Sequence, residues 1–157
     1  AYVTDHEPFW NSTGPEFHHP GDLRHIEFLK NADLVIHDAQ YTSEEYRSKL
    51  GWGHSPTDYV TDIAIAAGVV RLALFHHDPM HDDGMIKRME TVQRARAAQA
   101  GSRLDVFACA EGMELVVNGS GRDKTVAGVS ALARRPIADH QLAAVQIIQL
   151  AHHQRLG

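Results

Sequence analysis

The sequence is short of cysteine, of long apolar runs and of positive charge. Its single cysteine, Cys109, excludes an internal disulfide framework. It fits a reducing compartment, and a cytoplasmic location is expected. No stretch approaches the roughly 18 consecutive apolar residues of a membrane span, so no membrane association is expected. Fifteen Lys+Arg stand against 20 Asp+Glu, a formal charge of −5. That balance argues against a protein that coats a polyanion. The chain opens without a signal-peptide pattern and without a starting Met, and it carries no internal repeat. What remains is 43% hydrophobic and 22% charged, a globular composition rather than a disordered one. Histidine is in excess, at 12 of 157 residues. It is the commonest metal ligand and general base, which directs attention to where those rings fall.

Ala1–Thr4 reads as the end of a strand, and His6 to Gly21 as a loop. Asp22 is expected to cap a helix over Leu23–Lys30. Asp33–His37 (DLVIH) and Val69–Phe75 (VVRLALF) read as buried strands. Helices are expected from Ser43 to near Leu50, over Thr57–Ala67 and over Gly84–Ala100, the last two closed by Gly68 and Gly101. Leu104–Ala108 and Met113–Val117 read as strands. Alternating strands and helices give an α/β class. Residues 118–135 are rich in Gly, Ser and Arg and read as a linker. The near-periodic Leu142, Val145, Ile148 and Leu150 predict a last helix over Pro136–His153, within a C-terminal segment 136–157.

The polar residues gather at strand ends. Asp5 ends the first strand, Asp38 the second, and His76 with His77 the third. Loops at the carboxyl ends of α/β strands are free to carry chemistry while the sheet holds them in place. Carboxylate plus imidazole is a ligand set for Zn²⁺, Mn²⁺ or Fe. An Asp after a strand also serves as a cap or turn former.

Four runs, YVTDHE, NADLVIHDAQYT, GWGHS and AAGVVRLALFHHDPMHDD, together resemble the C-terminal half of the metallo-β-lactamase fold. The nearest branch is the phosphodiesterase type, which includes ribonuclease Z. The resemblance covers residues 1–117. It implies the C-terminal half of an αββα sandwich, with a mixed sheet flanked by helices, followed by the C-terminal helix. It also implies roles. Asp5 resembles the aspartate that bridges two metal ions, and His76 resembles the last histidine ligand. His54 resembles the histidine that supports proton transfer to the leaving group, and Asp38 stands where an acidic residue orients that histidine. The cofactors implied are two divalent metal ions, zinc first, with manganese or iron as alternatives. The partner implied is a small-molecule or nucleotide phosphodiester.

The family signature His-x-His-x-Asp-His is absent from the 157 residues. The expectation is therefore a hydrolase half-domain completed by a missing N-terminal half or a second chain. The alternative is a truncated, non-catalytic module with an exposed apolar sheet face, which would dimerise or recruit a partner. A cyclic-nucleotide or lactone hydrolase of the same superfamily is a third reading. The HDPMHDD loop resembles the smaller phosphodiesterases more than ribonuclease Z proper.

The remaining residues have plainer expectations. His18, His19, His25, His140, His152 and His153 are expected at the surface, and His37 in a structural role. His77 and His81 are expected near the site or facing solvent, and His6 and Glu7 in a loop. Asp78, Asp82 and Asp83 should hold the loop and cap the next helix. Lys87, Arg88, Arg94 and Arg96 should form a solvated face. Trp52 is expected to line a pocket or pack in its turn, and Cys109 to be buried.

Overall fold

A computed structural model describes residues 1–9, 17–118 and 142–146. The elements are β1 (Tyr2–Val3), α1 (Pro20–Leu29), β2 (Val35–Asp38), α2 (Ser43–Tyr46), α3 (Thr57–Ala66), β3 (Arg71–Phe75), α4 (Asp83–Gln99), β4 (Asp105–Ala108), β5 (Glu114–Asn118) and β6 (Leu142–Gln146). The α/β class stands. Strands β1 to β4 form one sheet in chain order, and every pairing in it is parallel. The expected mixed sheet is thus a parallel sheet beside a separate antiparallel pair, β5 with β6. Helical crossovers return each strand to the same end, which is what makes the pairing parallel.

Side chains alternate across the strands. Val35, Leu72, Leu74 and Val106 face the helices, where they pack with Leu29, Val60, Ile63 and Ala97. Burying side chains of this size contributes about 1.5–3 kcal/mol each. Ile36, Ala73 and Phe75 face the other way and pack with Cys109 and Leu115, with Met113 and Val117 alongside. The second face is therefore covered at these positions, whereas Tyr2, in register with Ile36 and against the Phe75 ring, stays 58% exposed.

Three elements differ from expectation. Helix α2 is a single turn that ends at Tyr46 rather than near Leu50. Helix α1 begins at Pro20 and is capped by His19, whose Nδ1 accepts the Gly21 amide at 3.0 Å. Proline at the first helical position already satisfies the geometry there. Asp22 lies instead in the first turn, 1% exposed. Residues 142–146 form a strand, not part of a helix over Pro136–His153. A short apolar run is ambiguous between the two periods, and the open edge of β5 offers backbone partners from Glu114 to Asn118. Residues 119–135, 136–141 and 147–157 lie outside the described residues, and with them the expected linker, the rest of that helix, and His140, His152 and His153. Among the described residues, no helix is long and apolar enough to cross a membrane.

Candidate metal centre and its supporting loops

The parallel register brings three strand ends to one edge. Val3 pairs with His37, and Asp38 with Phe75. Asp5, Asp38 and His76 therefore leave the sheet side by side. Asp5 and His76 both hold left-handed backbone, with φ of 42° and 60°. Such conformations cost on the order of 1–3 kcal/mol each and persist only where surroundings over-determine them. Here they turn two side chains toward each other. His76 Nε2 lies 3.8 Å from Asp5 Oδ1. One ring nitrogen of His54 joins them, all three ligand atoms lying within 4.8 Å of one another. Zinc binds nitrogen and oxygen at about 2.0–2.2 Å, so one ion can reach two atoms up to about 4 Å apart. The spacing of Asp5 and His76 fits that reach. Their side chains stay 72% and 42% exposed, leaving the front of the cluster open.

His54 reaches this edge on the GWGHS turn. Gly51 and Gly53 adopt φ of 82° and 86°, which residues with a Cβ rarely take. Tyr41 and Pro56 form a parallel bridge that brings the end of the turn against the residues following β2. Behind His54 stands Asp38, whose side chain is fully buried. Asp38 Oδ2 accepts from His54 Nδ1 at 3.0 Å and from the amides of His6 and Ser55 at 3.1 and 3.3 Å. Burial raises its carboxyl above the usual range, against the opposing pull of His54.

The expected free loop at His6–Glu7 is a clamp. Glu7 Oε1 accepts from the Gly51 amide at 2.6 Å and from Tyr46 Oη at 3.1 Å, and Oε2 accepts from the Gly53 amide at 2.9 Å. Burial alone would raise the Glu7 carboxyl, but the two amides and the phenol hold it below the ordinary value of 4.5. Glu7 thereby ties the Asp5 loop to the turn that carries His54. A carboxylate two residues after a candidate ligand was the available signal; the partners, 39 to 46 residues on, were not.

Other histidines depart from expectation. His25 is half-buried, and its Nε2 lies 3.0 Å from Nε2 of the buried His37. His6 stacks on His25 with ring centroids 4.1 Å apart. Burial pushes the His25 and His37 rings down to about 4 and about 3. His77 is 6% exposed rather than solvent-facing. His81 Nε2 meets Glu45 Oε1 at 2.9 Å. On α4, Arg96 is not solvated but grips Asp62 at 2.6 and 2.7 Å, and Arg94 Nε donates to the Val106 carbonyl. Asp82 caps α4 as expected, accepting the Met85 amide. Trp52 is 60% exposed, and within its own turn Lys49 Nζ lies 3.9 Å from its ring centroid.

Parts of the chain are similar to known proteins. Over 58 residues it is 41% identical to ribonuclease Z of Sulfurisphaera tokodaii, a match covering 37% of this chain and 19% of that protein. Over 73 residues it is 33% identical to ribonuclease Z of a Nostoc species, covering 46% of this chain and 23% of the relative. Over 77 residues it is 34% identical to ribonuclease Z of Lactococcus lactis subsp. cremoris, covering 49% and 24%. The chain thus spans about a fifth to a quarter of the length of the curated relatives it matches. No family model matches the chain. No solved structure matches it either. The expected resemblance to the ribonuclease Z-like branch holds over this segment, and the relatives named here are ribonucleases Z.

Proposed function

We propose that this chain is the C-terminal part of a dinuclear metal-dependent phosphodiesterase of the metallo-β-lactamase fold. Its substrate is a nucleotide phosphodiester. The observation that carries the reading is the convergence of Asp5, His76 and His54 at one sheet edge, with buried Asp38 behind His54. Asp5 and His76 are the metal ligands this chain contributes; residues outside it complete the shell. Divalent ions held there would supply Lewis-acid activation of a water and stabilisation of charge on the phosphoryl oxygens.

His54 acts on the leaving group. Asp38 accepts its Nδ1–H, which leaves Nε2 to carry the transferable proton. With both nitrogens protonated, His54 gives the Nε2 proton to the departing alkoxide and returns to the neutral tautomer that Asp38 already holds. Burial raises the Asp38 carboxyl, and His54 is foremost among the neighbours that oppose the rise. The reading is supported by the ribonuclease Z relatives, which carry the activity their name states. The test uses the complete enzyme with a nucleotide phosphodiester. His76→Ala should abolish hydrolysis and lower metal content. Full activity in that variant would overturn the assignment.

A further inference from the structure

Adjacent residues point to opposite faces at this edge. Asp5 and Asp38 face the cluster just described, while their neighbours His6 and His37 turn inward toward α1 and α3, where His25 meets them. One ring nitrogen from each of His6, His25 and His37 lies within 4.8 Å of the other two. The tautomers can be followed through the hydrogen bonds. His37 Nδ1 lies 2.7 Å from the Asp38 carbonyl and must donate to it, which leaves Nε2 as a lone pair. His25 Nε2 sits 3.0 Å from that lone pair. The Tyr59 hydroxyl donates to Asp22 Oδ1 at 2.7 Å, so it accepts from His6 Nε2 at 3.2 Å and leaves His6 with Nδ1 free. Asp22 Oδ2 is buried without a hydrogen-bond partner. The pocket is therefore rich in acceptors and short of donors, a balance that a cation restores.

We propose that His6, His25 and His37 form a second metal site, separate from the Asp5–His76 cluster, that takes a divalent transition ion preferring imidazole nitrogen, with zinc as the natural probe. Two imidazole nitrogens 3.0 Å apart share either a proton or an ion, and tetrahedral ligation at about 2.0–2.1 Å sets nitrogens only a little farther apart. The second ring nitrogen of His37 is held by a backbone carbonyl and that of His6 by a hydroxyl, the pattern that fixes tautomer and orientation in metal-ligating histidines. The fourth position goes to water through the half-exposed side of His25. An ion here would pin α1 to the end of β2 and to the segment after β1, and so stabilise the backbone that positions Asp5 and Asp38.

The test is zinc titration of the full chain by calorimetry, with circular dichroism as the folding control. The wild type should bind one ion more than His25→Ala, and His76→Ala should keep the ion that His25→Ala loses. A second variant, His25→Cys, is loaded with cobalt. A thiolate-to-cobalt charge-transfer band absent from the wild type would show that the side chain at position 25 touches the ion. The proposal is overturned if folded His25→Ala binds as many ions as the wild type with equal affinity. It is overturned equally if cobalt-loaded His25→Cys shows no such band.

Discussion

Asp38 Oδ2 lies 3.0 Å from His54 Nδ1, and the carboxylate that makes this bond has no exposed surface. A buried acceptor of this kind fixes the tautomer of the ring and its orientation. Asp38→Asn keeps the volume but loses both effects. In the complete enzyme it should lower phosphodiester hydrolysis by about 10–100-fold, the usual effect of removing a residue that orients another, with metal content unchanged. Steady-state kinetics with metal analysis checks both halves of that statement.

His54 stands close enough to Asp5 and His76 to ligate an ion as well as to donate a proton. The two roles separate experimentally. As a proton donor, His54→Gln should retain its metals and lose about 10²–10⁴-fold in rate, with the loss smallest for substrates whose leaving groups need no proton. A drop in bound metal would make His54 a ligand instead.

Much of this edge was legible in the sequence because its signals are local. An apolar run followed at once by Asp or His–His marks a strand end with chemistry on it, and Asp38 and His76 each fit that description. Gly51 and Gly53 likewise announce the turn that carries His54. The supporting contacts were not legible, because they depend on which elements pack together. Nothing near His25 indicates that α1 will lay it against His37. Glu7 reads as a loop residue until Gly51 and Gly53 arrive from across the fold. The start of α1 is marked by Pro20 and not by Asp22, which lies within the first turn. The β6 strand could not be told from a helix in five apolar-rich residues.

Glu7 should matter to stability and to the mobility of the turn. Glu7→Ala removes one carboxylate that accepts three hydrogen bonds and should cost about 1–3 kcal/mol. Amide exchange at Gly51 and Gly53 should accelerate more than exchange in β2 or β3. The wild-type contribution has a definite pH sense. The folded carboxyl is held below its ordinary 4.5, so the stabilisation is present above that value and is lost as pH falls through the folded one. Glu7→Gln should flatten that acid limb in denaturant titrations.

Cys109 is 4% exposed, and burial pushes its thiol up to about 12 from an ordinary 9.0. Thiolate is the reactive form, so alkylation at pH 8 should be slow in the native chain and fast in denaturant. The unfolded chain releases this proton near 9 and the folded chain retains it to about 12. Stability should therefore decline across that window, and Cys109→Ala should lessen the decline.

Anomalous diffraction at the zinc edge decides whether Asp5 and His76 share a metal ion. In crystals of the complete enzyme, a peak is expected about 2.0–2.2 Å from both Asp5 Oδ1 and His76 Nε2. Zinc bound elsewhere, with no anomalous density between these two residues, would contradict it.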